Sequence, residues 1–547
     1  MNLIGNINAI PFRRFRGGGG VAPFPSIPGM IARYSALGLT NEQMKENPVW
    51  VDKTGNDHDL QMKNFAWKEG SGISDIYPGA LVFDGVDDYG VCENFPILTK
   101  EKGYTVVALR QWITRGEIAQ GLVSNVKNWL KDGAFLLEYR NIQADHLNKP
   151  ISFGAIGSEM DLPHILTYQT SKSYNGVSIT TGNFEGTDVL HVGKLAPTNV
   201  GTCINAAIWE LVFLDHDATE EELTKIKDYF VKTYPWLFPD QAWTVTGKTN
   251  EDEDRATIAN ITGNGNDLVL SNFGFAEGRG YGLYAQNYIS YAITNRAVYT
   301  KTNSSIHVTK SITAGVNFTE SARDVTIPSY RIKVTGIQSG QEMIYRGSNN
   351  TFLTNIPSDG IYVLPAVENG SNLGFQFVSY TGDCNITIEQ IPEYEGYLVT
   401  DGVDDIASSN IVVYEADFTF IGEWKFIQKD DTVAGINSAS HLYIQNRYNR
   451  GATVMINSTF ENKKNITDYM TFKAITSKGK GYDENWNEVD LLYGDGNKGT
   501  SGVNIGGQGG SDFCHMIFKN MALYMNKVFS KDDCIKAYNY LQTLKAK

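Results

Sequence analysis

Leu81-Val82-Phe83-Asp84-Gly85-Val86-Asp87-Asp88-Tyr89 is met again as Leu398-Val399-Thr400-Asp401-Gly402-Val403-Asp404-Asp405-Ile406. Apolar residues running into Asp-Gly read as a strand entering a tight turn. Its recurrence makes the chain an internal repeat of a β unit, and a repeat governs every later step of the reading. Working outward, the block Tyr34–Glu42 matches Trp243–Glu251, and Thr54-Gly55-Asn56-Asp57-His58-Asp59-Leu60 matches Thr262-Gly263-Asn264-Gly265-Asn266-Asp267-Leu268. Asn64-Phe65 matches Asn272-Phe273, and Glu69-Gly70 matches Glu277-Gly278.

The spacing of these matches is uneven. The Thr-Gly-Asn block recurs at an offset of about 208 and the Asp-Gly-Val-Asp-Asp block at about 317. The second copy therefore carries an insertion of about 109 residues, a domain-sized length, between Tyr281 and Tyr394. Later blocks stay near the second offset: Tyr104 pairs with Phe418, Cys203 with Cys514 and Thr219 with Ser530. Tyr104 to Ile113 and Phe418 to Ile427 alternate as half-buried strands would. Each copy ends in a strand, Ala206 to Leu214 in the first, and then an amphipathic helix. Thr219 to Glu222 has the form of a capping box, and Leu223, Ile226, Tyr229 and Phe230 supply the apolar face. Ser530 to Asp533 opens the matching helix, with Ile535, Tyr538 and Leu541 expected inward.

Composition agrees with a β-rich chain. The protein has 547 residues, 41% hydrophobic and 12% aromatic, with 54 Gly and only 16 Pro. That supports real cores and many turns, and excludes a disordered chain. Lys and Arg number 47 against 61 Asp and Glu, a net charge of −14, so nucleic acid is not an expected partner. No run of about 18 apolar residues is present, so neither a membrane-spanning helix nor a membrane partner is expected. The amino terminus places Asn among its apolar residues and puts its arginines after them, the reverse of a secretory signal, so none is expected. Cys92, Cys203, Cys384, Cys514 and Cys534 are scattered and odd in number, which supports neither a disulfide framework nor a zinc site. Synthesis in a reducing cytoplasm follows.

The strand-turn at Leu81–Tyr89, its copy at Leu398–Ile406 and the terminal strand, loop and capped helix together resemble the laminin-G-like (concanavalin A-like) superfamily. The resemblance implies a jelly roll of two antiparallel sheets, carbohydrate binding and, in some members, calcium. It covers about three quarters of the chain. The inserted segment contains Tyr330 to Ile337, Gly360 to Pro365 and Asn385 to Tyr394. It looks like a small β-sandwich of the kind inserted into virion proteins of Bacteroides phages, including the crAss-like group. The segment Ile10 to Gly20 is similar to head- or tail-fibre starts in such phages.

The fold expected is thus mainly β: two laminin-G-like jelly-roll sandwiches, the second interrupted by a smaller inserted β-sandwich. Residues 1–27 form an anchor tail with a glycine hinge, 28–238 the first jelly roll, 239–283 with 394–547 the second, and 284–393 the insert. In the tail, Phe12, Arg13, Arg14, Phe15 and Arg16 alternate aromatic and cationic side chains before four glycines. This suits an anchor gripped by other virion proteins and followed by a flexible joint.

Candidate chemistry follows from residue types. Asp84, Asp87 and Asp88, with Asp401, Asp404 and Asp405, place acids on a short turn, the oxygen donors a hard cation such as calcium needs. The plain reading is that Asp and Gly serve turn geometry. Asn56, Asp57 and Asp59, with Asn264, Asn266 and Asp267, make a second oxygen-rich loop. Trp67, Tyr89, Trp129, Tyr174 and Trp486 near loops are candidate platforms for sugar rings. A jelly-roll hydrolase needs paired carboxylates. Glu488-Val489-Asp490 starts such a run without its third acid, and Asn250 to Asp254 reads as a solvated loop. No metalloprotease, nucleophile-elbow or P-loop motif is present, so enzyme activity is not expected.

The function expected is that of a phage virion protein of fibre or appendage type, made in the host cytoplasm and held in the particle by its amino terminus. Its sandwiches would meet host surface glycans, and the assembly expected is a homotrimer. The alternatives are a connector or decoration protein that binds no glycan, and a divergent glycan-degrading enzyme.

Overall fold

The computed structural model describes residues 23–98, 102–114, 120–133, 136–139, 166–174, 177–178, 185–194, 203–275, 280–282, 292–302, 304–321, 325–347, 351–370, 372–392, 394–410, 412–427, 433–438, 442–447, 451–456, 464–466, 471–491, 493, 499–507 and 513–546. The chain is mainly β, in several antiparallel sheets. The repeat is visible strand by strand. In the first copy one sheet runs, in spatial order, through Gly72–Ser74, Ala80–Asp84, Asn205–Leu214, Thr105–Trp112 and Leu166–Thr170. Its long central strand is shared: Asn205 to Ile208 pair with Asp84 to Leu81, and Glu210 to Leu214 pair with Ser35 to Met30. In the second copy Met516–Met525 is divided the same way, pairing through Ile517 and Phe518 with Val399 and Leu398, and through Asn520 to Leu523 with Thr244 to Gln241.

The partner sheets also correspond. The first copy orders Val49–Trp50, Leu60–Lys63, Tyr89–Cys92, Glu185–Val192, Gln120–Gly133 and Leu136–Tyr139. The second begins Thr257–Ile258, Leu268–Ser271, Ile406–Ser409, Asn504–Ile505, Val433–Ser438 and Leu442–Arg447. In the first copy Trp50, Leu60, Leu190 and Val192 of one sheet meet Tyr34, Phe83, Val106 and Phe213 of the other in one apolar core. In the second, Leu268, Ile436 and Ile505 meet Trp243, Phe420, Phe518 and Leu523.

Three α-helices accompany the described strands: α1 (Asn41–Glu46), α2 (Glu220–Thr233) and α3 (Lys531–Gln542). Thr219 and Glu222 form the capping box expected at α2, and Ser530 caps α3 by accepting from the Asp533 amide. The long helices do not cover an outer surface. A third core joins Val107, Leu109, Trp209 and Val212 of the first copy to Ile421, Ala522 and Tyr524 of the second, with α2 and α3 between them. The Trp209 and Tyr540 rings meet edge to face at 6.5 Å. Tyr524 donates to the Trp236 carbonyl (2.8 Å), Asn539 to that of Asp75 (3.1 Å) and Gln111 to the Thr543 hydroxyl (3.3 Å).

That layer changes two expectations. Thr105–Trp112 is buried along its whole length rather than on alternate residues, and Phe418–Phe426 is nearly so. Both faces of these strands are covered, one by the core of their own copy and one by the helical layer. On α3 the buried residues are Cys534, Ala537, Tyr540 and Leu541, while Ile535 and Tyr538 are only half-buried. A helix between two sheets has no single inward stripe, so its phase shifts from the one read off the apolar residues.

The strands of 292–391 pair among themselves. A five-stranded sheet has the order Ala297–Lys301, Ser305–Ser311, Gly382–Ile391, Tyr330–Thr335 and Gly360–Leu364. It shares a core with Phe352–Ile356, Met343–Arg346 and Gly374–Phe377. The main chain leaves the second copy at Gly280–Tyr281 and returns at Leu398–Val399, and those two strands are paired neighbours. An insertion there replaces a hairpin connection and leaves the sheet intact.

Candidate functional site

The acidic turns lie where each copy passes from one sheet to the other, between Ala80–Asp84 and Tyr89–Cys92, and between Leu398–Val399 and Ile406–Ser409. The same atoms build both. Asp84 Oδ1 accepts from the amides of Val86 (2.7 Å) and Asp87 (3.3 Å), and Asp88 Oδ2 accepts from the Asp84 amide (3.0 Å). Asp401 Oδ1 accepts from Val403 (2.8 Å), Asp404 (3.2 Å) and Asp405 (3.4 Å), and Asp405 Oδ2 from Asp401 (2.9 Å). Gly85 takes φ +81° with its α-carbon against Asn205, where a Cβ would stand 2.9 Å from the Asn205 Cβ. Only glycine combines that dihedral with that approach.

Two side chains outside the quoted motif complete the turns. Asn64 donates from Nδ2 to the Asp87 carbonyl (3.0 Å), and Asn272 to that of Asp404 (2.8 Å). Both hold a left-handed backbone, φ 69° and 70°. Sequence reasoning found this pair as a repeat and gave it no role.

Each acidic triad brings its carboxylates within 4.8 Å of one another. Burial, and after it the charges of Asp84 and Asp87, push the Asp88 carboxyl up to about 7, while the Ser71 hydroxyl and the Asp84 amide pull the other way. Its Oδ1 is buried and accepts no hydrogen bond of normal geometry. These residues fit a hard cation in part. Asp84 Oδ1 and Asp88 Oδ2 are engaged by amides, so the remaining oxygens supply about half of the 6–8 that calcium takes. In the first copy Lys194 stands in the same neighbourhood, its ammonium 4.7 Å from the Tyr89 ring centroid. The second copy has Gly507 at the matching place and no lysine beside it.

Four side chains of the second oxygen-rich loop are spent on folding. Asp59 Oδ1 accepts from the Asp52 amide and Asp267 Oδ1 from the Asn260 amide, both at 2.7 Å. Asn56 donates to the Ile31 carbonyl (2.8 Å) and Asn264 to that of Asp240 (2.9 Å). In the 250–254 loop Asp252 accepts from Thr249, and Asp254 pairs with the buried Lys248 at 2.6 Å. Glu488 and Asp490 share one lysine, Lys480 (2.5 and 2.7 Å).

The candidate sugar platforms are dispersed. Trp67 stacks on Phe65 (4.8 Å) beside the first core. Tyr89 opens a strand of the outer sheet, with one face under Lys194. Trp129 lies on Gln120–Gly133 and Tyr174 on Ser173–Tyr174, and their side chains fall outside the described residues. Trp486, at φ 61°, folds against Tyr538 of α3 (5.6 Å) with Lys473 over its ring. Among the described residues, Trp67, Tyr89 and Trp486 make no ring contact with one another. Phe12, Arg13, Arg14, Phe15 and Arg16 lie outside the described residues. No helix among the described residues is long and apolar enough to cross a membrane.

Neither a protein-family model nor a curated protein matches the chain. Among solved structures, the binding domain of botulinum neurotoxin serotype D/C is similar over 90% of this chain and 99% of its own, at 10% identity and a TM-score of 0.24. A likeness at that level carries no argument about fold or function.

Proposed function

We propose that the chain is a phage virion protein of fibre or appendage type, carrying two laminin-G-like jelly-roll sandwiches and a smaller inserted one, and that it meets host surface glycans. The observation that carries this reading is the helical layer. It clamps the two copies back to back through Trp209, Tyr524 and Tyr540, so that the outer sheets point away from each other. A stiff body with outward-facing sheets is what a projecting display protein requires. In this reading the basic tail at Phe12 to Arg16 attaches to other virion proteins. Calcium, where bound, is held by Asp401, Asp404 and Asp405 and by Asp84, Asp87 and Asp88.

The test is a glycan array carrying isolated capsule polysaccharide of the host, probed with the intact chain, alongside particle assembly by a chain lacking residues 1–20. Specific glycan signals and failed incorporation support the reading; silence on the array or normal incorporation overturns the corresponding half. A connector role is favoured by one feature. The edge strand Gly360–Leu364 exposes Ile361 and Val363 (62% and 61%) on a regular, unbulged edge, a form suited to protein contacts.

A further inference from the structure

Beside Leu268–Ser271 and Ile406–Ser409, at the end away from the acidic turn, the second copy has an open groove of about 590 Å³ lined by Asn266, Ser409, Asn410 and Gly502. We propose that this groove is the glycan site of the chain and that it takes a neutral, hydroxyl-rich sugar unit. The inference rests on the glycan-binding reading above and says which copy, and which residues, perform it.

Its construction is local. Asn266 holds a left-handed backbone (φ 64°) and its carbonyl is fixed by the indole N–H of the fully buried Trp243 (2.9 Å). The loop bearing the Asn266 amide is thereby tied to the core. Ser409 is consumed by folding: its hydroxyl donates to the Asn410 carbonyl (2.8 Å) and accepts from the Val503 amide (2.9 Å). The first of those bonds fixes the backbone at Asn410, which also lines the groove. Gly502 lies between them, where a Cβ would come 2.9 Å from the Ser409 carbonyl oxygen, so the backbone runs close and the groove stays open.

The side-chain amides of Asn266 and Asn410 make no hydrogen bond to a described residue. Each offers a carbonyl and two N–H donors, the set that matches a sugar hydroxyl acting both as donor and as acceptor. Among the described residues lining the groove none is charged, so none of them compensates a uronate or sialate.

The first copy does not repeat the residues that line the groove. His58 stands where the second copy has Asn266, and its ring packs edge to face on the buried Phe95 (5.3 Å). Cys92 and Glu93 replace Ser409 and Asn410. The ribbon Val412–Tyr414 with Gly499–Ser501, which frames the groove, has no counterpart among the described residues of the first copy. At this corner the second copy thus carries two asparagine amides where the first carries His58 and Glu93.

The experiment is saturation-transfer NMR and titration calorimetry on the intact chain, with maltotriose, mannotriose, galactotriose and tri-N-acetylchitotriose as neutral probes and trigalacturonate as the acidic one. The variants are Asn266→Gly, which keeps the left-handed backbone, Asn410→Ala and their double. We expect a neutral probe to bind, each single variant to weaken it about fivefold to tenfold, and the double to abolish it with the melting temperature kept. Neutral binding untouched in the double overturns this site while leaving glycan binding in place. Trigalacturonate binding lost in the double overturns the neutral class. Failure of the unaltered chain to bind any probe or any arrayed glycan overturns the glycan reading itself.

Discussion

Asp84 and Asp401 show how little a residue type says about its work. Both were legible as repeated acids, but the sequence does not reveal that their Oδ1 atoms cap backbone amides, because that depends on the glycine dihedral between them. Asp84→Ala and Asp401→Ala should each cost about 1–2 kcal/mol in urea unfolding, with chelator present or absent, and Asp→Asn should recover most of it because an amide oxygen still accepts. A loss seen only with calcium present would mean that the carboxylates act mainly as ligands. His216 carries a pH dependence at the same scale. Burial alone would lower its pKa, but hydrogen bonds to Asp215 (3.1 Å) and Glu222 (3.2 Å) outweigh it and the imidazole is raised. A group bound more basic in the folded state stabilises fully below its unfolded pKa, near 6.5, and loses that contribution as pH rises through its folded one. The melting temperature of the native chain minus that of His216→Gln should therefore be positive at pH 5.5 and shrink as pH rises through 7 to 8.5. An unchanging gap would show that the charge on His216 contributes nothing.

The elements were read more securely than the residues. Matching blocks identified the strand-turns and both capped helices, because capping boxes and Asp-Gly turns are local chemistry that survives any tertiary setting. What failed was the inference from pattern to burial. Thr105–Trp112 alternates in sequence yet is buried throughout, and the buried side of α3 is turned away from Ile535. Both depend on a second copy covering a face that periodicity assigns to water. The setting of Trp486, one of the candidate platforms, is likewise tertiary. Trp486 lies against α3 because the Asp483 carboxylate gathers the amides of Asn485 and Asn487 and turns the hairpin back, a contact invisible in the sequence. Two predictions belong here. Ser530→Ala removes the cap of α3 and should cost about 1 kcal/mol. Ile361→Lys, on the edge strand Gly360–Leu364, should leave the melting temperature within ~0.5 kcal/mol equivalent while lowering any self-association seen by sedimentation. Unchanged association would remove that edge from consideration as a contact.

At the scale of the molecule, the shared apolar layer makes the two copies one cooperative body. Val107, Leu109 and Trp209 of the first and Ile421, Ala522 and Tyr524 of the second contribute side chains to one cluster, so opening either copy exposes apolar surface on both. Among the described residues, the core of the 292–391 segment draws on none outside it, and its chain enters and leaves through adjacent strands. Calorimetry should accordingly show two transitions in the native chain, one for the inserted segment and one for the joined copies. Ala537 on α3 is fully buried in the joining layer. Ala537→Glu keeps a helix-forming residue but places a carboxylate where no partner awaits it, which favours separation of the layer over burial of the charge. The single transition of the joined copies should then split in two, with the lower-melting half retaining its own core. The inserted segment, which contributes no described residue to the layer, should melt at its original temperature. If Ala537→Glu only lowers one shared transition, each copy depends on the other for its own core. If it changes nothing, the copies melt independently already and the layer is contact without coupling.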